Sequence, residues 1–235
     1  MIARCSTPAR VQDWLNGLPY NHEPDGETQR SFRVVVRTGS AHCLEAALSA
    51  AVILEQHGYP PRLLSFESED GLDHVLYVYQ HGGRWGSVAR SRDPGLHGRR
   101  PVFRTARDLA LSYVESYIDS TGRITAYAVV DLLTLVGAYD WRFSPKNLWK
   151  VEQALIDLPH CPIRSADARI ARYRARYDAF KERFPGHKPL YFHGQDTWSR
   201  LPAAFQADRR PAAQFLAGFG ANGVRPRGAT RKRAG

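Results

Sequence analysis

The sequence predicts an α+β fold, a helix packed on a small antiparallel sheet and followed by a helical region. Three observations carry that expectation. The stretch "SAHCLEAALSAAVILEQHGY" (residues 40–59) places Leu44, Ala47, Leu48, Ala51 and Leu54 at the i, i+3, i+4, i+7 spacing of a helix. Residues 59–91 then switch to short apolar runs interrupted by Gly82-Gly83, the pattern of a hairpin. Helical spacing returns from Thr105 onward.

Taken in order, residues 1–30 form an N-terminal arm, a short amphipathic piece and a polar loop that Pro19, Pro24 and Gly26 keep irregular. "SFRVVVRTGSAH" supplies a short apolar run and a turn at Thr38-Gly39-Ser40. Ser40 is the expected N-cap and Gly58 the expected C-terminal stop of the helix from Ala41 to His57. "YPPRLLSFES", "DHVLYVYQ" and the stretch after Gly82-Gly83 are the expected strands. The segments "TARDLALSYVESYID", "TAYAVVDLLTLVG", "SPKNLWKVEQALIDL" and "SADARIARYRARYDAFKERF" are read as helices. Ser144-Pro145 opens the third as cap plus first-turn proline, and Pro185-Gly186 closes the fourth. Residues 31–104 are thus a core, 105–205 a helical extension packed on it, and 206–235 a basic tail.

The chain has 235 residues, enough for a substantial core without disulfide staples. Its three cysteines, Cys5, Cys43 and Cys161, are widely spaced and include no C-x-x-C pair, which argues against a disulfide framework or a zinc knuckle. No apolar run reaches the roughly 18–20 residues of a membrane span, and the first residues lack the apolar core of a signal peptide; the expected location is the cytoplasm. The net charge of +10 is concentrated at one end, because residues 206–235 hold seven Lys/Arg and one acid. That tail is rich in Ala, Gly and Pro and is read as disordered, so its charge is a poor argument for nucleic-acid recognition. "YRARYDAFKERF" interleaves aromatics with cations, yet helical spacing puts Tyr173, Tyr177 and Phe180 on one face, where burial is the simpler account.

Chemistry concentrates at Cys43. A thiol attacks acyl carbons as the thiolate, and the first turn of a helix stabilises that anion through unpaired N–H groups and the positive dipole end. The same N–H groups can hold an oxyanion. The base is His74, which opens a strand 31 residues downstream. With Gly82-Gly83 as a two-residue turn, position 74 falls opposite position 91, leaving Ser91 and Asp93 as polar partners for the imidazole. Asp93 carries the charge that would stabilise an imidazolium, provided the chain turns back at Pro94-Gly95. The bland alternative is that Cys43 is a small buried hydrophobe. His42 either raises the local positive potential or, more simply, is a solvated first-turn residue, and Glu45 suits the helix dipole but would oppose a thiolate if it faced the sulfur. His160-Cys161, in the loop "LPHCPIR", is a weaker rival pair.

A cysteine in the first turn of a helix, a histidine opening a strand, and then "YVYQHGGRWGSVARSRD" resemble the core of the transglutaminase-like superfamily over roughly residues 33–94. The resemblance implies a papain-like Cys–His–Asp arrangement in that chain order, with Trp85 packing beneath the hairpin. Family members usually carry the acid about four positions after this tryptophan, where this chain has Ala89. The third role is therefore displaced to Asp93, taken by Ser91, or absent.

The expected function is a thiol-dependent amide hydrolase, a cysteine peptidase or amidase working through an acyl-thioester on a peptide or protein amide. The alternative is a catalytically silent member serving as a protein-binding module. No cofactor or metal is expected, and no D-x-D-x-D-G calcium loop occurs. Arg84, Arg90, Arg92, Arg99 and Arg100 are either a solvated loop or a means of steering a carboxylate-bearing substrate.

Overall fold

Thr7 starts α1 (Pro8–Asn16) by accepting a hydrogen bond from the Arg10 amide at 3.4 Å, with Pro8 in the first turn. This computed structural model describes residues 1–183 and Pro185, so the basic tail and the end of the last expected helix lie outside the described residues. Val11 and Leu15, one turn apart on α1, are fully buried, and the N-terminal segment thus contributes directly to the core. The apolar run at 32–38 forms α2 (Phe32–Thr38), which ends on Gly39 at φ 71°, a left-handed cap that glycine adopts without a Cβ clash.

Next comes α3 (Cys43–Glu55), with every residue from Leu44 to Leu54 buried. A helix apolar on all sides belongs in the middle of a fold. Its N-cap is His42 rather than the expected Ser40, and Glu45 Oε2 reaches back to accept the His42 amide at 3.0 Å.

The sheet has the order β3-β2-β1-β4-β5 and every pairing is antiparallel. Its strands are β1 (Arg62–Ser68), β2 (His74–His81), β3 (Arg84–Val88), β4 (Ile124–Asp131) and the short β5 (Cys161–Pro162). Gly82 and Gly83, at φ 56° and 70°, make the tight turn, and the register Tyr77↔Val88 to His81↔Arg84 is the one a two-residue loop imposes. Because β3 stops at Val88, the ladder does not continue to the expected pairing of 74 with 91.

The outer edge of β3 is covered residue by residue. Trp85 exchanges backbone bonds with Phe103 and Ser87 with Arg99, while the Gln12 side-chain amide brackets Ala89 at 2.9 and 2.8 Å. Alternate backbone groups of the edge are thereby satisfied, and the α1 side chain acts as a short strand.

One expected helix is a strand. "TAYAVVDLLTLVG" splits into β4 and a short α5 (Leu132–Val136), with the Asp131 carboxylate capping the helix at the Leu133 amide. Its Tyr127, Val129 and Val130 suit a pleated surface, and β1 offers an open edge along its full length. The third expected helix is shorter than anticipated: α6 covers Trp149–Ile156, and Ser144-Pro145 lies in the turn before it. The other two helices form as expected, α4 (Ala106–Tyr117), capped reciprocally by Thr105 and Asp108, and α7 (Asp167–Arg183).

The sheet separates two apolar layers. On one face α1, α2, α3, α5 and α6 pack against Leu63, Val75, Tyr77 and Tyr79; on the other α4 packs against Leu64, Phe66, Leu76 and Val78. Tyr173 of α7 is buried with Ile118 and Ile170 in a smaller cluster, while Tyr177 is only half-buried. Among the described residues no helix is long and apolar enough to cross a membrane.

Candidate active site

Cys43 and His74 meet at one rim, where the first residue of α3 faces the first residue of β2. Cys43 occupies the first helical position; the first intrahelical hydrogen bond, from the Ala46 amide to His42 O at 2.9 Å, begins three residues later. The amides of Cys43 and Leu44 precede it, and such first-turn N–H groups favour negative charge nearby.

Burial of the thiol works against ionisation, but interactions with His42 and then His74 outweigh it and hold Cys43 well below the ordinary thiol range. The histidine next to Cys43 is therefore no solvated bystander. It is buried, its Nε2 lies 2.6 Å from Thr28 O, and the Glu45 carboxylate stands 3.5 Å away. Its desolvation is overcome by Cys43 first and Glu45 second, which push its pKa up to about 9. His42 is a cation at neutral pH beside an anion-stabilising helix start.

Glu45 does not oppose the thiolate. Fully buried, it turns toward the loop before α2, accepting from Thr28 Oγ1 at 2.9 Å, the Arg30 amide at 3.1 Å and Asn21 Nδ2 at 3.2 Å. That single carboxylate ties the loop to the helix and stabilises the His42 cation.

His74, the other partner of the thiol, is buried and stacks on Phe66, with ring centroids 6.4 Å apart and planes 7° from parallel. Its Nε2 lies 3.1 Å from the carbonyl oxygen of Leu96. A carbonyl can only accept, so Nε2 carries the proton and Nδ1 is left with the lone pair a base needs.

Asp93 lines the same cleft, its carboxylate 3.7 Å from Arg92 Nε and its amide bonded to Ser91 Oγ at 3.1 Å. Ser91 is buried beside it. The hydrogen bond at His74 Nε2 comes from a residue not considered in the sequence, the backbone of Leu96. A main-chain acceptor leaves no side-chain signature.

The loop that carries Leu96 is held by buried polar groups. Arg90 donates to His97 Nε2 at 2.9 Å and to Ser91 O at 2.8 Å, and His97 Nδ1 donates to Asn16 Oδ1 at 3.0 Å. Burial, reinforced by Arg90, lowers the His97 pKa to about 3 and keeps the ring neutral, as this donor pattern requires. Arg90 also binds Leu18 O, and Arg99 binds the carbonyls of Gly95 and His97. Two of the five arginines expected to be solvated or substrate-facing are thus built into the loop, and of the five Arg92 lines the cleft.

The cleft has a volume of about 480 Å³, within the roughly 300–1,000 Å³ of small-molecule sites. It also takes in His160, read from the sequence as half of a rival pair with Cys161; Cys161 itself is exposed. Comparison with models of protein families and with curated proteins finds no match to this chain.

Proposed function

We propose that the protein is a thiol-dependent acyl-transfer enzyme of the transglutaminase-like type, hydrolysing an amide as a cysteine peptidase or amidase. The observation that carries this reading is the Cys43 thiol at the start of α3, held well below the ordinary thiol range between His42 and His74.

In this reading the Cys43 sulfur attacks the amide carbon, and the carbonyl π electrons move onto oxygen. The first-turn amides of α3 stabilise that oxyanion. His74 Nδ1, having taken the proton of the Cys43 thiol, gives it to the leaving nitrogen as the C–N bond breaks, leaving an acyl-thioester. Neutral His74 then takes a proton from water, the hydroxide displaces sulfur, and acid and enzyme separate. His42 stays cationic throughout, so it steadies the resting thiolate without moving a proton.

A second reading, a binding module without turnover, draws on the main-chain partner of His74: a carbonyl orients the ring but carries no charge to stabilise an imidazolium. Site-resolved iodoacetamide labelling separates the two. Exposed Cys161 is an internal control, and Cys43 should label at least about tenfold faster at pH 6, where an ordinary thiol is under about 1% ionised. Equal or slower labelling of Cys43 would remove the basis for the enzyme reading.

A further inference from the structure

The net charge of the chain is +10, yet the cleft at Cys43 is acidic. Glu67, Asp70, Asp73 and Asp119 line it on the side of the β1–β2 turn, and Glu23, Glu27 and Glu152 on the side of the loop before α2 and of α6. With Asp93 that makes eight carboxylates, against the His42 cation and Arg92, the one Lys/Arg among the described lining residues.

Several of these carboxylates are fixed by neutral donors. Asp70 accepts from Ser68 Oγ at 2.6 Å, Thr121 Oγ1 at 3.1 Å and the Leu72 amide at 3.2 Å. Asp119 accepts from the amides of Gly122 and Thr121 at 2.6 and 2.9 Å, and Asp73 from the Ser68 amide at 2.9 Å. Glu152 accepts from Gln29 Nε2 at 2.5 Å. Such bonds orient a carboxylate and leave its charge in place. The resulting crowding is visible in Asp73, where burial and then Glu67 and Asp70 raise the pKa, and in Glu152, where burial and then Glu27 do the same.

His160 extends the pattern. Its side chain is only 2% exposed, and Nδ1 lies 2.6 Å from Leu158 O and 3.0 Å from Glu67 Oε1. Two acceptors place the proton on Nδ1. Nε2 is buried without a hydrogen-bond partner among the described residues. The carboxylates make a wall of acceptors. The complementary ligand has donors only, which describes an ammonium or a guanidinium.

We infer that the cleft selects a cationic substrate, an amide whose scissile carbonyl lies close to a lysine-type ammonium or an arginine-type guanidinium. This rests on the acyl-transfer reading of Cys43 and specifies the substrate class of that site. It replaces the expectation of a carboxylate-bearing substrate, because Arg90 and Arg99 are buried in the supporting loop.

The test measures modification rates of Cys43 in the full chain with three methanethiosulfonates, resolved by mass spectrometry of its peptide. One reagent bears a trimethylammonium group, one a sulfonate, and one a neutral methyl group. Each rate is divided by the rate for free mercaptoethanol, which removes intrinsic reactivity. The cationic reagent should exceed the anionic one by about tenfold or more at low ionic strength, and the preference should shrink in about 1 M salt. The triple variant Asp70→Asn, Asp73→Asn, Asp119→Asn should reduce it several-fold while its circular dichroism stays unchanged. A normalised ratio at or below one in the unmodified chain overturns the inference. So does a preference that salt leaves unchanged, a criterion that holds even if the variant fails to fold. The neutral reagent reads the thiol alone. Slow neutral modification with a persistent cation preference would defeat the acyl-transfer reading and leave the charge selection standing; fast neutral modification without the preference would do the reverse.

Discussion

The carbonyl oxygen of Leu96 lies 3.1 Å from His74 Nε2, so the orientation of the candidate base is set by the main chain. The loop bearing Leu96 depends in turn on Gln12 and Asn16 of α1 through Ala89 and His97. A helix far from Cys43 in sequence thereby acts as a support for the histidine.

Gly98→Ala tests that support. A Cβ at this position would run into Ser87 O and Gln12 Oε1, one of them rigid backbone, and the loop would have to move. The variant should lose about 1–3 kcal/mol of stability in urea titration, and Cys43 labelling should slow at pH 6. Unchanged labelling in a folded variant would show that the loop does not position His74.

Cys43→Ser should abolish amide turnover and leave the fold intact, since a hydroxyl is nearly isosteric but far harder to ionise. His74→Ala should cost a similar factor, because nucleophile and base act as one unit. Full activity in Cys43→Ser, measured on a basic peptide library, would end the enzyme reading.

Asp93→Ala and Ser91→Ala address the third role. With Leu96 O on Nε2, Asp93→Ala should lower turnover by clearly less than His74→Ala does. A loss as large as that of His74→Ala would make Asp93 the partner of the base during turnover.

His42 should titrate near pH 9 by nuclear magnetic resonance, and its pKa should fall in Cys43→Ser because Cys43 is the largest influence raising it. Folding raises this pKa from 6.5 to about 9, so the folded chain binds the proton more tightly. The associated stability is complete below pH 6.5 and is lost as pH rises through about 9. Cys43→Ser should flatten that part of the stability profile.

Glu45→Gln removes the buried carboxylate that serves His42, Arg30 and Thr28. It should destabilise the fold by about 3 kcal/mol and lower the His42 pKa, with slower Cys43 labelling at pH 6 as the readout. An unchanged His42 titration would show that Cys43 alone maintains the cation.

Local chemistry was enough to locate the candidate nucleophile and the sheet that faces it. The apolar spacing from Leu44 to Leu54 defines α3, and Gly82-Gly83 sets the β2–β3 register by turn geometry alone, so Cys43 and His74 could be named from the sequence. Where the outcome depended on distant partners, the sequence was silent or misleading. Residues 124–131 carry helix-compatible spacing but become β4 because β1 presents unpaired backbone groups that only another strand can satisfy. The same nonlocality explains His42, whose charge depends on burial against Thr28 and Glu45, and His74, whose partner is a carbonyl that any residue type could supply. The acidity of the cleft was hidden most completely. Its carboxylates lie between positions 23 and 152 of a basic chain, and only folding places them around one thiol, because electrostatic potential follows distance in space and not along the sequence.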